Sequence, residues 1–408
     1  MTALTLLAAD GTTSTVPLTA PPAWSRPTAP LTERRVFAAA HVVPRVAGDN
    51  TPGAPAALDW DATLAFRHHL WSWGLGVADA MDTAQRNMGL DPRATRELIT
   101  RSAREAGSVG GALVVGVNTD ELDADGSASP GLDAIVDAYV RQLHHAEDVG
   151  AGVVLMASRH LARAARTPDD YRRVYERVID RAASPVVLHW LGAAFDPELG
   201  PYFRGGEAGA GVAEETVLAI MRDAGTRVSG IKMSLLDADA EIRLRRRLPD
   251  GIRMLTGDDL HYVDLIAGDA GAHSDALLGA FAAIAPAASV AVRALPDEVA
   301  FRAVLGPTED LSRHVFSAPT WFYKTGIAFL SWLNGHQPAF GMVGGLHAGR
   351  SLPHLSETVR LANACGALER PETAVERWHG LLAVNGVDVT GGPSRSALPA
   401  DAGRRVVA

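Results

Sequence analysis

Lys232 combines a residue type and a setting suited to covalent chemistry. The 38 basic residues include only two lysines, Lys232 and Lys324, so nearly every generic surface cation in this chain is an arginine. Arginine stays charged, whereas a desolvated lysine can lose its proton and attack a carbonyl carbon. Lys232 ends the strand-like run Val228-Ser229-Gly230-Ile231, and burial there disfavours the ammonium and lowers its pKa. An amine poised near neutrality can condense with a ketone or aldehyde. The resulting iminium is an electron sink for C–C cleavage or dehydration. The plainer alternative is a strand-end lysine paired with a carboxylate such as Asp258.

Other polar residues fall at comparable positions. Asp79 and Asp82 follow the second strand-like run, Asn118 the third, and His189 lies at the end of the fifth. Thr256, Gly257, Asp258, Asp259 and His261 follow the seventh run, and His273 precedes the eighth. An imidazole titrates near the working pH, so His189 suits a general acid/base, or equally a hydrogen-bonded core histidine.

The elements that must hold these residues alternate. Strand candidates lie at Val36–Val43, Gly76–Asp79, Ala112–Val117, Gly152–Ala157, Pro185–Trp190, Val228–Met233, Ile252–Thr256 and Ala276–Gly279. Amphipathic or capped helical segments separate them. Eight strands alternating with helices over roughly 250 residues predict an α/β fold, a parallel (β/α)8 TIM barrel, whose catalytic groups sit at the C-terminal strand ends. The segment His41-Val42-Val43-Pro44 carries no Gly-rich phosphate turn of a doubly wound sheet. The expected organisation is an N-terminal β-hairpin and Pro-rich linker (1–32), the barrel (33–285), a C-terminal helical extension (286–390) and a flexible tail (391–408). The hairpin rests on an Asp10-Gly11 turn, and the extension on helical patterns at Pro296–Val304, Pro319–Trp332, Leu355–Cys365 and Glu372–Leu382.

Composition excludes several function classes. A net charge of -9 gives no electrostatic footprint for nucleic acid, and the run Arg243, Arg245, Arg246 and Arg247 reads as a solvated helix face. Cys365 is the sole cysteine, which excludes intramolecular disulfides and cysteine-based zinc clusters. Two stretches without Asp, Glu, Lys or Arg, Ala276 to Val292 and Thr325 to Gly349, are broken by proline or polar residues, so no membrane span is expected. With no basic and apolar leader at the N-terminus, a cytoplasmic location is expected.

Gly230-Ile231-Lys232, followed one helix and one strand later by Leu255-Thr256-Gly257-Asp258-Asp259, resembles the dihydrodipicolinate synthase/N-acetylneuraminate lyase superfamily. The resemblance covers roughly residues 35 to 285 and points to a long, divergent subgroup. It implies a Schiff-base lysine at Lys232, a Gly-Asp-Asp turn lining the pocket, no cofactor beyond that covalent imine, and a homo-oligomer, dimer or tetramer. Pro185-Val186-Val187-Leu188-His189-Trp190 stands where the family ends its fifth strand on a catalytic tyrosine, so His189 takes the proton-shuttle position. The family's hydroxyl-bearing strand-2 turn reads Ala78-Asp79-Ala80-Met81-Asp82 here, and an arginine found in some members is replaced in the run Gly192-Ala193-Ala194-Phe195. Both features would hold an α-keto acid. The expected substrate is therefore a neutral polyhydroxy ketone or aldehyde in carbohydrate metabolism, with Asp79, Asp82, Asn118, Gly257, Asp258, Asp259, His261 and His273 around it.

Two further readings compete. Asp79, Asp82, His189, Asp259, His261 and His273 are oxygen and nitrogen ligands of the kind Mn2+, Mg2+ or Zn2+ accept, which would make a metal-dependent barrel lyase or isomerase. A non-catalytic barrel could instead stack sugars on Trp190, Phe195, Tyr202, Phe203 and Trp321. Roles for Lys324, His347 and Arg350 stay open between the substrate mouth, an interface and the surface.

Overall fold

The computed structural model describes residues 3–124, 130–205, 209–269 and 271–389; the tail expected over 391–408 lies outside the described residues. Strands β1 (Ala3–Leu7) and β2 (Thr13–Pro17) form an antiparallel hairpin, with Ala3 opposite Pro17. Eight parallel strands follow: β3 (Val36–Ala39), β4 (Gly76–Asp79), β5 (Leu113–Val117), β6 (Gly152–Leu155), β7 (Val186–Leu191), β8 (Val228–Ser234), β9 (Arg253–Thr256) and β10 (Asp275–Leu278). They close in sequence order, with β10 pairing β3. The barrel, the hairpin and the C-terminal helices expected from the sequence are all present.

Strand register decides which residues enter the barrel. Ala39, Ala78, Met81, Val154, Met156, Leu255 and Leu277 form an interior cluster, with Phe37, Val114 and Val187 against it. Phe37 and Ala39, and Val154 and Met156, are two residues apart, as the period of two requires. Gly76 makes space for an inward Phe37, since a Cβ there would lie 2.5 Å from its ring. An irregularity between Val186 and Val187 advances β8 by one residue. It aligns Val187 with Gly230 and His189 with Lys232 on one inward-facing row.

Two fully buried arginines brace the C-terminal end of the barrel. Arg67, on the helix Trp60–Ser72, holds Asp79 through both carboxylate oxygens at 2.9 and 2.7 Å and also reaches the His41 carbonyl at 2.8 Å. Arg86 donates to Asp120 at 2.8 Å and to the Ala80 and Gly116 carbonyls at 3.2 and 2.9 Å, tying the loop after β4 to the loop after β5. Both guanidiniums are bidentate on their carboxylates, the geometry in which arginine pairs survive burial.

The C-terminal helices run over Ala285–Ala294, Glu298–Val315, Tyr323–Leu333, Leu352–Ala364 and Pro371–Val384. Helix Glu298–Val315 continues through Gly306-Pro307, where the sequence pattern was expected to stop at Val304. The hairpin packs on these helices: the Trp378 indole donates to the Thr5 carbonyl at 2.7 Å, and the Leu7 amide to Ser356 at 2.7 Å. No helix among the described residues is long and apolar enough to cross a membrane.

Removing one partner of a buried pair leaves an uncompensated charge. Arg67→Met is expected to cost about 3–5 kcal/mol in urea unfolding, and the double variant Arg67→Met/Asp79→Leu to recover part of that loss. A single-variant loss below about 1 kcal/mol would show that the pair does not brace the barrel.

Candidate active site

Lys232 sits in the barrel wall with 7% of its surface exposed. Its side chain occupies space that neighbours leave empty. A Cβ on Gly257 would lie 2.1 Å from the Ser234 hydroxyl and 2.7 Å from Lys232 Cε; one on Gly230 would lie 2.8 Å from Leu255. Burial lowers the pKa of the amine, and the charges of Asp82 and Asp259 partly oppose that shift. Asp259 is itself buried, and desolvation raises its carboxyl from 3.8 to about 7 against an N–H donated by Ala280 at 2.8 Å and the nearby Lys232 charge. The Ser312 hydroxyl of helix Glu298–Val315 holds the Asp259 carbonyl, so the extension fixes this turn.

His189 is fully buried beside Lys232. One ring nitrogen, Nε2, lies 3.2 Å from the Ser234 hydroxyl, and Nδ1 has no protein partner. Burial first, and the Lys232 charge second, hold its pKa well below the usual histidine value, so the ring is neutral.

The turn after β4 brings in Asp82 and Thr83. Ala80 turns the chain there in the left-handed region (φ 50°), which costs a non-glycine residue about 1–2 kcal/mol. The Asp79 carboxylate, accepting from the Ala80 amide at 2.8 Å, and Arg86, donating to the Ala80 carbonyl, hold that turn. The Thr83 hydroxyl lies 2.8 Å from the Tyr323 hydroxyl, contributed by the C-terminal extension. Burial pushes the Tyr323 phenol well above its ordinary value, and the charges of Asp82 and Asp259 add to that shift. Next to it stands Lys324, the chain's other lysine, 3% exposed. Its ammonium is 3.2 Å from the Trp321 carbonyl and 4.8 Å from the Tyr323 ring centre. Burial pushes its pKa down to about 8, opposed by Asp82 and Asp196. Both lysines of the chain thus lie within the field of Asp82. Phe316 and Tyr323, stacked at 4.4 Å, pack over Gly279 at the mouth, and Phe195 after β7 meets both rings edge-on.

Several residues expected at the site lie elsewhere. Asp79 is consumed by Arg67, so its charge does not face a substrate. Asp258 accepts from the Leu260 amide at 2.9 Å and meets His261 Nδ1 at 2.9 Å; it shapes the turn and does not pair with Lys232. His261 is 41% exposed at the outer side of that turn. The Asn118 side chain folds back, its Oδ1 accepting from the Thr119 amide at 2.7 Å. His273 precedes β10 and is exposed at the opposite, N-terminal end of the barrel, near Arg34, Asp275 and Arg253. The six residues weighed as metal ligands are therefore not gathered. Of the five aromatic residues weighed for sugar stacking, Trp190, Tyr202 and Phe203 are buried against one another. Arg350 also has a structural role, donating to the Val315 and Ser317 carbonyls at 3.2 and 2.6 Å.

Comparison with known proteins adds a family and a fold. A family model matches residues 4–387. The chain belongs to the family described as Protein of unknown function (DUF993). No curated protein matches it. Among solved structures, the barrel is similar to a chloride-inhibited dihydrodipicolinate synthase from Acinetobacter baumannii complexed with pyruvate (14% identity, TM-score 0.61, covering 82% of this chain and 100% of that one). It is also similar to dihydrodipicolinate synthase from Bacteroides thetaiotaomicron (15%, 0.60, 81% and 99%). A third is a prophage protein of the dihydrodipicolinic acid synthase family from E. coli K12 in complex with pyruvate (15%, 0.59, 80% and 99%). At these identities the likeness establishes the fold.

Asp259 gives a pH signature. Its folded pKa of about 7 lies above the ordinary 3.8, so between those values the folded chain keeps a proton that the unfolded chain has released. Stability from this group is present in full below about pH 4 and is lost as pH rises toward 7. Asp259→Asn keeps an acceptor for the Ala280 amide and has no proton to lose. Urea unfolding across that window should show a downward slope for wild type relative to the variant; parallel profiles would contradict the assignment. Gly257→Ala should keep the barrel's circular dichroism, lose about 1–3 kcal/mol, and displace the Lys232 side chain, read as lost carbonyl trapping.

Proposed function

We propose that the chain is a lyase of the class I aldolase type, in which Lys232 condenses with the carbonyl of a small substrate. The observation that carries this reading is a desolvated amine inside a barrel wall beside a carboxyl that titrates near 7. The neutral amine adds to the carbonyl carbon, and a proton passes from nitrogen to oxygen to give a carbinolamine. Protonated Asp259 then gives its proton to the departing hydroxyl, which leaves as water, so iminium and carboxylate form together. The iminium accepts the electron pair of a C–C or C–H bond, and hydrolysis later returns the amine. His189, neutral with one free ring nitrogen, is suited to accept and return a proton on the inner face. The likeness in fold to structures holding pyruvate supports a carbonyl compound as ligand.

The polar groups around the amine favour a small hydroxylated aldehyde or ketone. Asp82, Asp259, Thr83, Tyr323 and Ser234 offer carboxyl and hydroxyl partners for substrate hydroxyls. Arg67 neutralises Asp79, so the charge that disfavours a keto-acid carboxylate at the mouth is that of Asp82. One observation favours a second reading: the buried Lys324 ammonium near Asp82 could take a substrate carboxylate.

Incubation with hydroxyaldehydes, ketoses and keto acids, borohydride reduction and peptide mapping separates these readings. The expected result is a reduced adduct on Lys232, formed with hydroxylated carbonyls and lost in Lys232→Met. An adduct with pyruvate alone would favour the second reading, and adducts only on Lys324 would overturn the role of Lys232. Asp259→Asn should slow imine formation by about 10²–10⁴-fold.

A further inference from the structure

Away from the barrel mouth, three potential ligands meet where the first barrel helix touches the C-terminal extension. His69 comes from helix Trp60–Ser72, His336 from the turn after helix Tyr323–Leu333, and Glu369 from the turn before helix Pro371–Val384. The Nε2 atoms of His69 and His336 lie 3.5 and 2.9 Å from the same oxygen of Glu369. All three ligand atoms fall within 4.8 Å of one another, and the two rings are 4.1 Å apart. Ligand atoms about 2.0–2.1 Å from a tetrahedral zinc ion lie about 3.3 Å apart, so closing the cluster on an ion takes only small side-chain shifts.

The ligands are held from outside. Asn334 accepts from the Glu369 amide at 2.9 Å and donates to the Ala367 carbonyl at 2.9 Å, which fixes the carboxylate's turn. The His336 amide donates to the Ser331 carbonyl at 2.9 Å, and Phe66 packs against both imidazoles. Glu369 also lines a cavity of about 150 Å³ walled by Trp24, Trp73 and Pro286.

We propose that His69, His336 and Glu369 form a binding site for a divalent cation of borderline softness, zinc(II) above all, with water in the fourth position. Two imidazoles and one carboxylate suit zinc better than magnesium or calcium, which prefer all-oxygen shells. The site would anchor the far end of helix Tyr323–Leu333, whose near end carries Tyr323 and Lys324 to the barrel mouth. Over its 11 residues that helix spans about 16 Å. The ion therefore clamps the extension to the barrel and takes no part in the chemistry at Lys232.

The test uses the full chain without an affinity tag, stripped with chelator and titrated with ZnCl2 and, separately, CoCl2. The proposal expects a single equivalent of zinc per chain by mass spectrometry and a rise in Tm of about 2 °C or more at saturation. It also expects visible absorption of four-coordinate cobalt. Each of His69→Gln, His336→Gln and Glu369→Gln should lose the equivalent and the cobalt bands. A wild-type chain that takes up no zinc at micromolar concentrations would overturn the proposal, whatever the variants do. So would an equivalent retained in all three variants.

Discussion

The desolvation of one amine organises the barrel mouth. An ammonium inside a barrel wall is costly unless it is paired or gives up its proton. The chain meets that cost from both sides, lowering the proton affinity of Lys232 while raising that of Asp259. The two groups titrate as a coupled pair, so a proton on one changes the proton affinity of the other. The side chains missing at Gly230 and Gly257 are part of the same arrangement, since any Cβ there would displace Leu255, Ser234 or the lysine stem.

Everything around that pair keeps competing charges away. Arg67 and Arg86 each pair with a nearby carboxylate, Asp79 and Asp120, which would otherwise be left buried and unpaired. Asp258 is spent on its own turn and on His261. Asp82 and Asp259 are left to act on the amine. The extension then completes the mouth from outside the barrel, adding Tyr323, Lys324 and Phe316 to groups that the strands supply.

The fold was legible because it is written in local pattern. Short Val-rich runs alternating with capped helices identify the strands to within a residue or two, and the first runs past its end only because Ala40, Val42 and Val43 stay apolar and buried after the chain leaves the sheet. The helix through Pro307 was misread because proline lacks an N–H and normally ends a helix, while tertiary packing here carries the chain past it. Lys232 stood out for a compositional reason, the rarity of lysine. Asp79 misled because strand-end position does not reveal that Arg67, twelve residues earlier, points back into the same space. His273 misled because it lies before its strand and so at the wrong end of the barrel. Tyr323 had no signal at all: more than eighty residues separate it from Lys232, and only the packing of the extension brings them near.

The scarcity of lysine also makes the central claim directly measurable. Chain labelled with 13C at lysine Cε should give only two signals, assigned through Lys324→Arg, and their titration reports each amine. The Lys232 signal is expected to titrate below the ordinary 10.5, and the Lys324 signal near 8. A Lys232 signal that titrates at or above 10.5 would mean an ordinary charged lysine in the barrel wall, and the Schiff-base reading would fall with it.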